Sequence, residues 1–217
     1  MSTDIVTSTG IKVGTSEVLS GIHQVKGIIT KGNLPGEVFL PSTGMGYYIN
    51  SSTAVALTTG TLFYFPLYVS SDCLCDLIHI RTSVGSAGNI NMGIYNSSQG
   101  QPTGSPLTGS TSGSLSTAAS TTNLRFTFTN PIALKAGNLY WLAATTDTST
   151  PTFVSCSVTF AAFHTSIGQS VVSGTNNTIY SWTQAFVYST TLPAAASLTE
   201  VSAAAATCPV MAVRVFI

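Results

Sequence analysis

Charge is the first thing that this chain of 217 residues has little of. Charged side chains make up only 6% of it, seven acidic against seven basic, and the formal net charge is zero. The basic residues are scattered singly along the chain, whereas a nucleic-acid-binding surface needs a basic stripe or patch. The composition therefore argues against nucleic acid as a partner.

Long apolar runs are also absent. No stretch approaches the roughly 20 apolar residues of a membrane-spanning helix. The first ten residues, MSTDIVTSTG, contain neither the basic region nor the apolar region of a secretory signal. We therefore expect synthesis in a cytoplasm, with no membrane insertion.

Cysteine is scarce and its spacing does not suit a metal site. Cys73, Cys75, Cys156 and Cys208 lack the paired Cys-x-x-Cys pattern that holds zinc. Cys73 and Cys75 would share one face of a strand because they are two residues apart. A reducing cytoplasm favours buried free thiols, and the sequence leaves open whether disulfides form after cell lysis. We expect neither a metal nor a cofactor.

Candidate catalytic groups are few as well. Beyond residue 45 the acids are Asp72, Asp76, Asp147 and Glu200. Asp72 and Asp76 could share a strand face, as two hydrolytic carboxylates would need, but a solvated edge or a weak cation site explains such a pair better. The three histidines are isolated from one another, and no serine lies in a Gly-x-Ser-x-Gly elbow. We expect no enzymatic activity.

What the chain does have is strand patterning, clearest in the stretch from 123 to 146. Leu124, Phe126 and Phe128 alternate with polar residues, which is typical of a half-buried strand. After turn residues at 135–138, the run from Leu139 to Leu142 is apolar on both faces and predicts a central strand covered on both sides.

Eight or nine such strands follow one another between residues 46 and 217, with uneven loops and no convincing helix. The uncharged, Ser/Gly-rich stretch 97–120 predicts long loops around one short strand near Leu107 or Leu115. The pattern predicts an all-β fold, a jelly roll or related β-sandwich.

Residues 1–45 differ from the rest and predict an extended N-terminal arm. Six of the fourteen charged residues fall there. Val18, Ile22, Val25 and Ile29 have the spacing of a short coiled-coil seam that Ser16 could cap, although Gly21 and Gly27 argue against a stable lone helix. An extended or β-like arm lying on a neighbouring protein fits at least as well.

Three stretches carry a resemblance to a known family. They are NPIALKAGNLYWLAATT (130–146), NINMGIYNSSQGQPTGSPL (89–107) and the closing CPVMAVRVFI (208–217). Together they resemble the jelly-roll modules of bacteriophage virion surface proteins, such as tail fibres, receptor-binding proteins and head decoration proteins. The resemblance covers roughly residues 61–217 and implies a virion location, a homotrimer and contacts between the arm and other virion proteins.

One constellation suggests ligand binding. Tyr180, Trp182, Phe186 and Tyr188 alternate along one face of a predicted strand, with Gln184 between them. Exposed, this face would be a stacking platform for sugar rings, with Gln184 as a polar contact. Buried, it would be the inner wall of the sandwich.

Three functions follow as hypotheses. The first is a non-enzymatic tail-fibre or receptor-binding protein whose jelly roll faces host surface glycans. The alternative is a capsid decoration or cement protein whose arm staples shell subunits together. A glycan hydrolase is the third.

Overall fold

The computed structural model describes residues 6–7, 10–13, 16–19, 39–41, 48–69, 71–118, 123–157, 178–204 and 208–216. Within these ranges every regular element is a β-strand. The strands are β1 (Val6–Thr7), β2 (Gly10–Val13), β3 (Ser16–Leu19), β4 (Phe39–Pro41), β5 (Tyr48–Ala56), β6 (Thr61–Tyr68), β7 (Cys73–Val84), β8 (Asn89–Ser98), β9 (Gln101–Thr103), β10 (Leu115–Ser116), β11 (Asn123–Leu134), β12 (Leu139–Thr146), β13 (Thr152–Ser157), β14 (Thr178–Ala185), β15 (Thr199–Ala204), β16 (Cys208–Pro209) and β17 (Met211–Phe216). The described residues contain no helix long and apolar enough to cross a membrane.

Strands β4 to β17 form two seven-stranded antiparallel sheets. The β8 sheet has the order β10-β8-β12-β6-β14-β15, and β9 also pairs with β8. The β7 sheet has the order β16-β13-β7-β17-β4, and β5 pairs with β13. Strand β11 lies on the opposite side of β7 from β17, because Ile78 is in register with a residue of each.

The strand order is that of a jelly roll. One four-stranded layer reads β4-β17-β7-β11 and the other β6-β12-β8-β10, so the first and last strands of the set are neighbours in one layer. Such a pair of antiparallel sheets closed by Greek-key connections is the jelly-roll form of the β-sandwich. The predicted fold class is confirmed.

Strand β12 lies at the centre of the β8 sheet and is buried on both faces. Tyr140, Leu142 and Ala144 belong to the main core between the two sheets. Trp141 and Ala143 point to the opposite face and belong to a second, smaller apolar cluster. The prediction of a central strand covered on both sides is therefore confirmed.

The serine-rich loop after β9 provides hydrogen-bond partners for backbone groups along the edge of β8. The Ser110 and Ser112 hydroxyls accept hydrogen bonds from the backbone N–H groups of Ile94 and Met92, at 3.1 and 2.8 Å. Both serines are buried, and the loop adds the short strand β10 further along the same edge. The short strand predicted near Leu107 or Leu115 is found at Leu115–Ser116.

A β-bulge at Asp76 anchors the last strand of the chain to β7. Arg214 of β17 is opposite Leu77 and Val215 is opposite Cys75, so Asp76 is the extra residue. Its carboxylate accepts two hydrogen bonds from the Arg214 guanidinium, at 2.7 and 3.0 Å. The Asp76 side chain is only 4% exposed.

The first part of the chain agrees with the β-like form of the predicted arm at one place and departs from its predicted boundary at another. Val18 lies in strand β3 of a three-stranded sheet, β1-β2-β3, which is the β-like alternative and not the helical seam, and Ile22, Val25 and Ile29 lie outside the described residues. Strand β4, inside the range 1–45, pairs with β17 of the sandwich. Only residues before β4 are therefore candidates for an arm separate from the sandwich.

Replacing Asp76 with alanine should lower the free energy of unfolding by about 3–5 kcal/mol, because it leaves the Arg214 guanidinium partly buried without its carboxylate. Urea unfolding followed by circular dichroism measures the loss. Asp72→Ala is the matched control: Asp72 also pairs with a base, Lys135, but both side chains are more than 60% exposed. It should leave the urea midpoint close to that of the wild type, and equal losses in the two variants would contradict the assignment.

Candidate functional site

The outer face of the β8 sheet carries an aromatic cluster, the outer cluster. Its buried members are Leu62, Tyr64, Tyr95, Trp141, Ala143 and Leu192. The rings of Tyr64 and Tyr95 meet edge to face with centroids 5.1 Å apart. Burial raises the pKa of both phenols above the usual tyrosine value, so both stay protonated at any physiological pH.

The chain itself covers this cluster with residues 186–198, the cover segment. The Tyr95 hydroxyl donates a hydrogen bond to the Pro193 carbonyl at 2.7 Å, and the amide of Asn91 donates to the Ser189 carbonyl at 3.0 Å. The Ala195 N–H donates to the Gly104 carbonyl at 2.8 Å. These bonds fix the cover segment at several points along its length.

Gly93 and Tyr95 of β8, two residues apart, both help to hold the cover segment. A Cβ at Gly93 would lie 2.7 Å from Cδ1 of Leu192, so glycine leaves the space that the leucine occupies. Two residues along the same face, Tyr95 holds the neighbouring Pro193. The Gly-x-Tyr pattern was visible in the sequence, but nothing in the sequence indicated its partner.

Of the predicted ligand-binding residues, Trp182 and Gln184 lie on the outer face of the sheet, and both of them and Tyr188 are hydrogen-bonded within the chain. Trp182 packs against the outer cluster, and its Nε1–H donates to the Gly100 carbonyl at 3.3 Å. Tyr188 donates to the Ser114 hydroxyl at 3.0 Å. The backbone of Tyr180 is opposite Ser202 in the β14–β15 ladder, and its side chain lies outside the described residues.

Gln184 has partners for both ends of its amide. Its Oε1 accepts from the Tyr64 hydroxyl at 2.9 Å and from the Ala196 N–H at 3.1 Å, and its Nε2 donates to the Ala194 carbonyl at 3.3 Å. Gln184 thus ties the cover segment to the sheet. The aromatic face is therefore neither an open platform nor the inner wall of the sandwich, because it lies on the outer face beneath the cover segment.

The same outer face opens at one end of the sheet into a groove, the Tyr68 groove. Its volume is about 420 Å³, and it is lined by Tyr68, Asn96, Ser97, Gly100, Gly137, Asn138, Leu139 and Tyr140. Tyr68 is in register with Leu139, and Leu139 packs against the outer cluster, so both side chains point to the outer face. None of the lining residues carries a charge.

Turns at the strand ends shape the groove. Gly137 N–H donates to the Val69 carbonyl at 2.8 Å, and Val69 N–H donates to the Asn138 carbonyl at 3.1 Å, which joins two turns into one rim. On the opposite side, the Trp182 hydrogen bond to Gly100 holds the tip of the β8–β9 hairpin. Sequence analysis missed Tyr68 and Asn138 as site residues, because only the sheet register brings them together.

Asp72 and Asp76 do not form a pair of facing carboxylates. Asp76 is bonded to Arg214, whereas Asp72 accepts from the Ala136 N–H at 2.7 Å and from the Lys135 ammonium at 3.0 Å. The Ala136 N–H and Lys135 lower the pKa of the Asp72 carboxyl. In the described part of the chain, no three His, Cys, Asp or Glu side chains come together as a metal site would need.

Cys73 and Cys75 are free, buried thiols in the main core, as the sequence predicted. Burial raises the pKa of Cys73 to about 11 and that of Cys75 to about 12. Neither thiol is therefore a reactive group in the folded protein.

Comparison of the chain with protein-family models, with curated proteins and with solved structures finds no match.

Replacing Gly93 with alanine should lower the free energy of unfolding by about 1–3 kcal/mol, because the new methyl group forces Leu192 away from the sheet. Thermal or urea unfolding measures the effect. The control is a double-mutant cycle: in a Leu192→Ala background the same Gly93→Ala change should cost far less. An equal loss in both backgrounds would show that Leu192 is not the obstacle.

The thiols of Cys73 and Cys75 should react with an aromatic disulfide reagent at pH 8 only after unfolding. A variant with Cys156→Ser and Cys208→Ser isolates the two thiols in the assay. Because burial raises their pKa values, the two protonated thiols favour the folded state. This contribution to stability is fully present below the ordinary thiol pKa of 9.0 and is lost as pH rises through about 11 to 12. Rapid labelling of the native variant would contradict their burial.

Proposed function

We propose that the protein is a non-enzymatic structural protein of a bacteriophage virion, of the tail-fibre or receptor-binding type, whose jelly roll binds host surface glycans. The observation that carries glycan binding is the Tyr68 groove: an open, uncharged groove on the outer face of the β8 sheet, with the partly exposed ring of Tyr68 in its lining. The virion setting rests on the resemblance of the three sequence stretches and on the low charge of the chain.

The groove has the chemistry that a neutral sugar requires. The apolar face of a pyranose ring packs on an aromatic ring, and Tyr68 is partly exposed at the groove. Hydroxyl groups need donors and acceptors, which the exposed amide of Asn138 supplies. Among the described residues this amide side chain makes no hydrogen bond, in contrast to Gln184.

The size of the groove also fits a small ligand. Ligand sites in proteins typically measure about 300–1,000 Å³, and are mostly preformed. The groove, at about 420 Å³, lies in this range, and backbone hydrogen bonds hold its rim. It therefore suits a short glycan segment better than a flat protein surface.

Tyr68→Ala should weaken glycan binding roughly tenfold or more, since it removes the stacking surface and a central aromatic contact is worth at least about 1.4 kcal/mol. The measurement is binding of the full chain to an array of bacterial surface glycans, followed by titration of the best ligand. Tyr188→Ala is the matched control, because Tyr188 is a partly exposed tyrosine outside the groove lining.

Binding that is lost in the Tyr188 variant and kept in the Tyr68 variant would move the site to the aromatic face predicted from sequence. Absence of binding to any glycan would contradict the receptor-binding role. Imaging of whole particles then separates the two structural roles, because a decoration protein would lie on the capsid shell and a fibre protein on the tail.

A further inference from the structure

Three side chains from neighbouring strands form one row in the lining of the Tyr68 groove. Tyr68 of β6 is in register with Leu139 of β12. The outermost pair of the β12–β8 ladder is Tyr140 with Asn96, so the next residues outward, Leu139 and Ser97, are also neighbours. Since adjacent strands lie about 4.8 Å apart, the row from Tyr68 to Ser97 spans roughly 10 Å. This length suits one sugar ring with a substituent.

The Ser97 hydroxyl at one end of this row is available as a hydrogen-bond donor. The indole N–H of Trp141 donates to its oxygen at 3.1 Å. An indole N–H only donates, so this bond uses a lone pair of the serine oxygen and leaves the O–H to donate elsewhere. In the part of the chain that the structure describes, this O–H has no acceptor, and Ser97 is partly exposed at the groove. A carbonyl oxygen of a ligand would fit there.

The middle of the row is apolar and has an amide beside it. Leu139 is partly buried against the outer cluster and offers apolar surface between the Tyr68 ring and the Ser97 hydroxyl. Asn138 precedes Leu139 at the strand end, and its exposed side chain brings a carbonyl oxygen to the same groove. The groove therefore presents an aromatic ring, an apolar surface, a donor and an acceptor close together.

We propose that the Tyr68 groove recognises a 2-acetamido sugar, such as an N-acetylhexosamine unit of a surface glycan. This inference rests on the proposed glycan binding and names the class of sugar. The pyranose ring packs on Tyr68, and the methyl of the acetamido group packs on Leu139. The acetamido carbonyl oxygen accepts from the Ser97 hydroxyl, and the acetamido N–H donates to the Asn138 side-chain oxygen. A hydroxyl in place of the acetamido group has no methyl for Leu139.

The test compares sugars that differ only at this substituent. Methyl glycosides of N-acetylglucosamine and N-acetylgalactosamine, and those of glucose and galactose, are titrated into the full chain and followed by NMR. The acetamido sugars should bind about tenfold tighter or more, the combined effect of one hydrogen bond and one buried methyl group. Equal affinities, or array ligands that lack an acetamido sugar, would overturn this inference and leave glycan binding in place. Absence of binding to any glycan would overturn both.

Variants then assign the preference to its residues. Ser97→Ala and Asn138→Ala should each lower the ratio of acetamido to hydroxyl affinity by about three- to tenfold, whereas Tyr68→Ala should weaken both sugars alike. Asn138→Ala keeps the bond between Trp141 and Ser97, so it tests the inference even if Ser97→Ala disturbs the fold. Ser98→Ala is the matched control, because Ser98 is exposed and outside the groove lining. An unchanged ratio in Asn138→Ala and in a folded Ser97→Ala would overturn the assignment.

Discussion

The need to cover the outer face of the β8 sheet determines much of this molecule. A two-layered sandwich buries one face of each sheet, but strand β12 places Trp141 and Ala143 on the face away from the main core, beside Tyr64 and Tyr95. Left exposed, these side chains would form a large apolar patch. The cover segment and the β8–β9 hairpin fold over them, and the Tyr68 groove is the space between that hairpin and the turns at the strand ends.

The composition explains how the cover is held. With so few charged residues, the cover segment is fixed by hydroxyl and amide groups: Tyr95, Asn91 and Gln184 each bond a backbone carbonyl of that segment. Such bonds are directional, so they fix the path of a segment that is itself neither helix nor strand. A buried ion pair, Asp76 with Arg214, is used instead where the chain must secure its final strand.

Sequence patterns predicted the elements of the fold well because strands leave a periodic signal. The alternation at 124–128 and the apolar run at 139–142 both identified their strands and the faces these bury. In β7 the sequence departs from strict alternation at Leu77, and the bulge at Asp76 is the physical reason. Pro66 lies in β6, an interior strand of its sheet, and it is accommodated because the pairing of β6 with β14 extends only to Tyr64.

The site was less accessible to prediction. The prediction that Trp182 and Gln184 share one face of a strand was correct. The cover segment, however, has no periodic pattern, and it is positioned by contacts with distant residues such as Gly93. Tyr68, Ser97 and Asn138 come from three separate strand ends, and only the register of β6, β8 and β12 assembles them. Local propensity carries no information about such long-range assembly.

The buried hydroxyls of Ser110 and Ser112 give the repetitive loop an unexpected property. A stretch built from so few residue types would ordinarily tolerate almost any exchange, yet these two positions take the role of a neighbouring strand for β8. An alanine at either would leave a main-chain donor without an acceptor in a dry environment. We therefore expect the exposed positions of this loop to vary freely in length and composition during evolution. Ser110 and Ser112 should vary little, because their hydroxyl oxygens are needed as acceptors, although in the sequence they look no different from the other serines.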